Sequence, residues 1–242
     1  MASLFGGLFH NKEKAPYCAA VVAAAGSGRR MGEKDKLLLP LGDMPVIAHT
    51  LKALEDCPMI MEIIVVTRED LMVEIANLCK DYDFTKVRSV VVGGETRTLS
   101  VSAGLRAASP QCELIAIHDG GRPFVTGEVL ETVIMKAARC GAAAPVVPVK
   151  DTIKMAVNGI VEATPDRTRL FAVQTPQVFE ASLIRAALKK ALEDGVALTD
   201  DCAAVERLGM KVALTPGSEE NIKLTTPLDM LLAESILERR EA

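Results

Sequence analysis

Tryptophan is absent from the chain, and aromatic residues make up only 3% of its 242 residues. Base-stacking platforms, the usual means of holding single-stranded nucleic acid, have almost no material here. Core volume must come from Ala, Val, Ile and Leu, which suit parallel strands buried on both faces. Histidine is scarce, with three residues, and none of the six cysteines (Cys18, Cys57, Cys79, Cys112, Cys140 and Cys202) stands in Cys-x-x-Cys spacing. A zinc site is therefore not expected. Most of the cysteines sit beside apolar residues and read as reduced, buried thiols of a cytoplasmic protein. Positive charge is not in excess: 28 Lys and Arg against 32 Asp and Glu leave a net charge of −4. That argues against a nucleic-acid or anionic-membrane partner. No apolar run approaches the length of a membrane span. Met1 to Phe9 is mildly apolar, lacks a preceding basic residue and is broken by Gly6-Gly7, so it makes a poor signal peptide. Residues 1–16 read as a disordered tail and residues 17–242 as one domain.

Two common phosphate-binding strings are also missing. No Gly-x-x-x-x-Gly-Lys-Ser/Thr occurs, and after Gly28 the next glycine, Gly32, falls one place late for a dinucleotide loop. What stands there instead is Ala23-Ala24-Ala25-Gly26-Ser27-Gly28-Arg29-Arg30-Met31-Gly32-Glu33-Lys34-Asp35-Lys36. Its glycines let main-chain N–H groups approach an anion, and four cations within eight residues supply charge. The loop reads as one that wraps a triphosphate and brings cations to a reacting phosphorus. The alternative is a solvated, basic strand-to-helix turn, and Arg29 and Lys34 fit that description individually.

Apolar strand-like runs at 19–24, 62–67, 87–92, 114–118 and 142–147 alternate with helical patterns at 46–55, 70–81, 98–108 and 127–140. Such alternation predicts an α/β fold with a mostly parallel sheet covered on both faces. Ligands then bind outside the carboxyl ends of the strands. The residues there fit a site: the glycine-arginine loop, Gly93-Gly94-Glu95-Thr96-Arg97, His118-Asp119-Gly120-Gly121-Arg122-Pro123, and Pro148-Val149-Lys150-Asp151-Thr152. Beyond residue 150, short strands at 152–156, 160–163 and 171–174 with an Asn158-Gly159 turn predict an antiparallel arm at about 150–175, paired with a second subunit. Helices follow at 180–193, 200–208 and 227–239, with a strand at 211–214 and then Asn221-Ile222-Lys223. His118 reads as a residue that orients its loop, Asp200 and Asp201 as helix caps or ligands, and Arg122 as a substrate contact or a pin for its loop.

These motifs, in this order, resemble the 2-C-methyl-D-erythritol 4-phosphate cytidylyltransferases of the nonmevalonate isoprenoid pathway, from Cys18 to Leu237. Ala-Ala-Gly-Ser-Gly-Arg-Arg-Met-Gly with Lys36, Gly93 to Arg97 with Ser100, His118-Asp119, Arg122-Pro123, Pro148 to Thr152, Asp166-Arg167, Gln174 to Gln177, Thr199-Asp200 and Asn221 to Lys223 carry the resemblance. It implies a single Rossmann-like domain of the nucleotidyltransferase type with a β-arm for homodimerisation. It implies transfer of CMP from CTP to methylerythritol phosphate with release of pyrophosphate. Arg30 and Lys36, with Lys223, are the implied catalytic cations. Ala24, Ala25, Gly26, Ser27, Gly28, Gly94, Glu95, Ser100 and Asp119 are the implied CTP contacts. Asp119, Arg122, Thr199 and Lys223 are the implied substrate contacts, joined by Thr152 and Arg167 of the partner subunit. Mg²⁺ is the implied cofactor, held mainly by the triphosphate and not directly by the protein. Glu95 stands where relatives typically carry Asp, and Gly120-Gly121, where they typically carry Ala at one or both positions, is expected to loosen its loop. Other readings remain: a cytidylyltransferase for another polyol phosphate such as ribitol 5-phosphate, or a nucleotide-binding module without catalysis.

Overall fold

The computed structural model describes residues 16–26 and 35–241. The expected tail, except Pro16, and the expected roles of Ser27, Gly28, Arg29, Arg30 and Lys34 fall outside the described residues.

The first strand, β1 (Cys18–Ala23), leads through a small hairpin, β2 (Pro40–Leu41) and β3 (Met44–Pro45), into α1 (Val46–Asp56). Next come β4 (Ile60–Thr67), α2 (Met72–Asp81), β5 (Val87–Val92), α3 (Arg97–Ala107), β6 (Leu114–Asp119), α4 (Gly127–Cys140) and β7 (Ala142–Pro148). The second half comprises β8 (Met155–Val157), β9 (Ile160–Ala163), β10 (Phe171–Val173), β11 (Gln177–Glu180), α5 (Ala181–Glu193), α6 (Asp201–Arg207), β12 (Ala213–Pro216) and α7 (Pro227–Glu241). Helix boundaries follow local chemistry. Thr96 and Thr126 cap α3 and α4 by accepting the Leu99 and Val129 N–H groups. Gly141, in the left-handed region, ends α4.

The main sheet runs β10-β7-β11-β6-β1-β4-β5, with β12 also paired to β7. The β1–β4, β1–β6, β4–β5 and β7–β12 pairings are parallel. Period-two alternation sends successive residues of β1 to opposite faces. Ala20 and Val22 join a core with α1, α2, α4 and α7, whereas Ala19 and Val21 join one with α3, α5 and α6. All four are fully buried, so both faces of the strand are apolar and the α/β expectation holds. Among the described residues no helix is long and apolar enough to cross a membrane.

Two expectations are corrected. The run at 171–174 does not belong to the arm: β10 pairs antiparallel with β7 at Phe171–Pro148, Ala172–Val147 and Val173–Val146. The arm is the β8–β9 ribbon alone, beginning at Met155 and not at 152. Its Asn158-Gly159 turn has positive φ at both residues, 51° and 80°, as a two-residue hairpin turn requires. The second correction is β11, which sequence reading left between a motif and a helix. It inserts antiparallel between β6 and β7. Four residues after a proline carry too little periodicity to announce a strand. Their burial decides the matter: Val178 fills one core and Phe179 the other, both at 0% exposure. Smaller shifts occur at β12, displaced from 211–214, and at Asn221-Ile222-Lys223, which is loop.

Because Phe179 is fully enclosed within the sheet, Phe179→Ala should cost about 3–5 kcal/mol. A urea unfolding curve that moves by less than about 1 kcal/mol would show that the β11 side chain does not fill that core.

Candidate active site

The carboxyl ends of β1, β5 and β6 open onto a cleft of about 480 Å³. Ala23, Ala24, Ala25 and Gly26 form one wall, Gly94, Glu95, Thr96, Arg97 and Ser100 a second. Lys36, Leu37, Asp119, Gly121 and Lys223 complete it. Hollows of about 600 and 700 Å³ lie elsewhere, against α2 and β5 and against α4 and β12. Neither gathers the glycine loops that converge here.

Close packing shapes the second wall. A Cβ on Gly93 would come within 2.7 Å of Ala25 Cβ and of Ser100 Oγ, so only glycine lets the loop after β5 lie against the loop after β1. Ser100 Oγ accepts the Gly94 N–H at 3.1 Å and donates to the Thr96 carbonyl at 2.9 Å. Its hydroxyl therefore holds the loop in shape, although the residue lines the cleft.

Charge is organised around Asp119, the last residue of β6. Lys223 Nζ lies 2.8 Å from its carboxylate, Arg122 Nε 3.6 Å and Arg97 Nη2 3.7 Å. Burial alone would raise this carboxyl's pKa, but the attraction of Lys223, Arg97 and Arg122 outweighs it and brings the value to about 2. Arg97 also pairs with the buried Asp201 at 2.7 Å. Arg122 donates to the Asn221 carbonyl at 2.6 Å and does not line the cleft; the pin reading describes its contacts. Lys36 Nζ donates to the Leu224 carbonyl at 2.9 Å, and Leu224 N–H donates to the Gly121 carbonyl at 2.9 Å. Gly120 is tied as well, its N–H to Ala23 O at 3.0 Å and its carbonyl to Thr50 Oγ1 at 2.9 Å. The expected looseness of Gly120-Gly121 is thus countered by hydrogen bonds on both residues.

His118 is fully buried and orients the same loop. Nε2 faces the Arg122 carbonyl at 3.2 Å, which assigns the proton to that nitrogen. Nδ1 then accepts from the Thr175 hydroxyl at 3.1 Å, and Thr175 Oγ1 accepts the Asp119 N–H at 3.0 Å. Burial lowers the imidazole pKa from 6.5 to about 4.

Of the residues singled out in the sequence, the fold brings together Ala24, Ala25, Gly26, Lys36, Gly94, Glu95, Ser100, Asp119 and Lys223. Thr199 is exposed and stands one residue before Asp200, which caps α6 through the Ala203 N–H at 2.9 Å. Thr152 and Arg167 are exposed and do not line this cleft; Arg167 Nη1 donates to the Lys150 carbonyl at 2.7 Å. Arg97, quoted in a strand-end motif, was given no role of its own. A signal existed: a cation in the first turn of a helix opposes the macrodipole, so it points to a carboxylate or an anionic ligand nearby. Asp201, read as a helix cap or a ligand, is instead the partner of Arg97, and Thr175 gave no comparable signal, because its partners are remote in sequence.

Comparison with known proteins agrees over nearly the whole chain. The family model described as 2-C-methyl-D-erythritol 4-phosphate cytidylyltransferase matches residues 18–239. The enzyme of that name from Desulforamulus reducens is 49% identical over 226 residues, covering 91% of this chain and 96% of the relative. The one from Syntrophus aciditrophicus is 44% identical, covering 93% and 98%. The crystal structure of 4-diphosphocytidyl-2C-methyl-D-erythritol synthase from Anaerococcus prevotii superposes with a TM-score of 0.84 at 33% identity, over 93% of this chain and all of the other. That of 2-C-methyl-D-erythritol 4-phosphate cytidylyltransferase from Thermus thermophilus gives 0.75 at 32% identity, over 90% and 98%.

The buried imidazole has a measurable consequence. A folded-state pKa of about 4 against 6.5 means that the unfolded chain binds the extra proton first as pH falls. Stability contributed by the neutral ring is therefore whole above pH 6.5 and lost between 6.5 and 4, by up to about 3 kcal/mol. Urea midpoints measured from pH 7 to 4 should fall for the parent and fall less for His118→Asn. Equal slopes would exclude His118 as the group responsible.

Proposed function

The chain belongs to the 2-C-methyl-D-erythritol 4-phosphate cytidylyltransferase family, and we propose that its cleft transfers CMP from CTP to 2-C-methyl-D-erythritol 4-phosphate in isoprenoid precursor biosynthesis. The observation that carries this is the convergence of Lys36, Arg97 and Lys223 on one cleft beside two glycine loops. A phosphate oxygen of the acceptor attacks the α-phosphorus of CTP, the bond from that phosphorus to the bridging oxygen of the β-phosphate breaks, and pyrophosphate leaves. The attacking phosphate is already ionised at neutral pH, so the protein's work is positioning and charge stabilisation.

The main chain of Ala24, Ala25 and Gly26 cradles the nucleotide, a role that the family resemblance extends to Ser27 and Gly28. Lys36 faces the α-phosphate and the leaving group, a role that the family resemblance extends to Arg30. Gly94 and Glu95 meet the cytidine, with Ser100 acting through the loop it braces. Lys223, oriented by Asp119, takes the acceptor's phosphate, with Arg122 holding the Asn221 carbonyl beside it; the family resemblance adds Thr199 to the acceptor's contacts. Among the described residues no group of three or more His, Cys, Asp or Glu side chains is set to hold a metal ion, and the Asp119 carboxylate already faces three cations. This donor set fits Mg²⁺ carried by the triphosphate, where it would neutralise phosphate charge. The cysteines are unpaired and, apart from Cys140, buried, which fits a reducing cytoplasm.

The reading further holds that two chains share their sites. The β8–β9 ribbon exposes Met155, Val157, Ile160 and Val161 and, among the described residues, pairs with no other strand. A two-stranded ribbon has too little core to stand alone. Docked on a second copy, it would bring Thr152 and Arg167, which flank it in sequence, to the neighbour's acceptor phosphate.

Pyrophosphate release should require Mg²⁺ and be fastest with CTP and methylerythritol phosphate in a panel of polyol phosphates and the four common nucleoside triphosphates. Lys36→Ala should lower turnover about a hundredfold, the loss expected for one preorganised stabiliser of developing charge, whereas Lys223→Ala should mainly raise KM for the acceptor. Equal turnover of ribitol 5-phosphate would move the assignment to that substrate.

Shared sites predict complementation. An Arg167→Ala chain mixed with a Lys36→Ala chain, each nearly inactive, should regain activity, because mixed dimers contain one site with both lesions and one with neither. Proven subunit exchange without recovery would exclude sharing.

A further inference from the structure

Lys36 stands on a short turn that is held from outside the cleft. The turn, Lys36–Leu38, is a single stretch of 3-10 helix with Asp35 as its N-cap. The Asp35 side chain is only 3% exposed. One carboxylate oxygen, Oδ1, accepts the Leu37 N–H at 2.9 Å. The other, Oδ2, accepts from Arg68 Nη1 at 2.5 Å. Arg68 follows β4 directly and forks onto Asp70 through Nε and Nη2, each at 3.0 Å. Its three nitrogens thus engage two carboxylates, and it does not line the cleft. Leu37, between the clamp and the core, is 2% exposed.

A lysine ammonium is a point charge on a flexible four-carbon stem. Where it acts depends on where its backbone is held. At one end Lys36 is tied by the Leu224 carbonyl; at the other the turn is set by the Asp35 carboxylate. That carboxylate is itself fixed by a guanidinium from a strand end that adds no side chain to the cleft wall. We propose that Asp35 and Arg68 are positioning residues for Lys36: Arg68 orients the Asp35 carboxylate, the carboxylate fixes the Leu37 N–H, and the turn so fixed aims the Lys36 ammonium at the reacting phosphate. This inference rests on the role of Lys36 given under Proposed function.

The test is a double-mutant cycle on the full-length enzyme, read as kcat and KM for CTP together with the melting temperature. A misplaced catalytic group costs up to about a hundredfold. Asp35→Ala and Arg68→Gln should each lower kcat at least about tenfold, with KM for CTP changed less than about threefold. Arg68→Lys, which keeps the charge, should recover part of the loss. Combined with Lys36→Ala, the same substitutions should lower turnover by less than about a further twofold, because there is no ammonium left to aim. Should Asp35→Ala fail to fold, Arg68→Gln, on a more exposed side chain, carries the cycle. Equal losses with and without Lys36, or no loss in the parent, would overturn the positioning role while leaving the role of Lys36 intact. Full turnover by Lys36→Ala would overturn both, and the two failures are thereby distinguished.

Discussion

A carboxylate buried at the end of a central strand must be compensated by charge, and Asp119 draws that charge from three directions. Lys223 comes from the loop before α7, Arg97 from the first turn of α3, and Arg122 from its own loop. The cost of burying one anion thereby becomes the force that gathers cations at the mouth of the cleft. Without it, Lys223 and Arg97 would have no common partner, and the sequence positions 97 and 223 no reason to meet. The backbone of Asp119 is fixed as firmly as its side chain, through Thr175 and the single tautomer of His118.

The scarcity of aromatic residues has its counterpart in the core. Small β-branched and alanine side chains on β1 let helices approach from both sides. α3 reaches the sheet with Gly104, where a Cβ would fall 2.4 Å from Val21 Cγ1. That approach brings the N-terminus of α3, and with it Thr96 and Arg97, to the rim of the cleft. Packing density on one face of the sheet therefore sets the position of a charged residue at its edge.

The cations in and beside the cleft are held by main-chain oxygens as well as by carboxylates. Lys36 reaches the carbonyl of Leu224, and Arg122 that of Asn221. Asn221 in turn donates to the Thr175 carbonyl at 2.9 Å, and Leu224 N–H returns to Gly121. The segment at 221–224 is thus laced to the β6 loop at several points. It has no regular secondary structure, yet it is buried at Asn221 and Leu224. Its hydrogen bonds do the work that a strand's ladder would otherwise do.

Much of this was legible in the chain. Strand–helix alternation in the first half, the glycine and charge motifs at the strand ends, and the Asn158-Gly159 turn are all local patterns, and local patterns survive translation into structure. Lys36, Gly94, Glu95, Asp119 and Lys223, given their roles by the family resemblance, line one cleft. The sequence by itself determined the fold class, the family and the residue types that chemistry requires. Tertiary structure alone decided that β11 enters antiparallel between β6 and β7, that β10 leaves the arm for the sheet, and that Arg97 joins Asp201 and Asp119. It also decided that Ser100 and Arg122 brace loops. Ser100 braces the loop just before it, at Gly94 and Thr96; the others depend on partners tens of residues away, whose meeting is set by burial and charge compensation in three dimensions and leaves no periodicity along the chain.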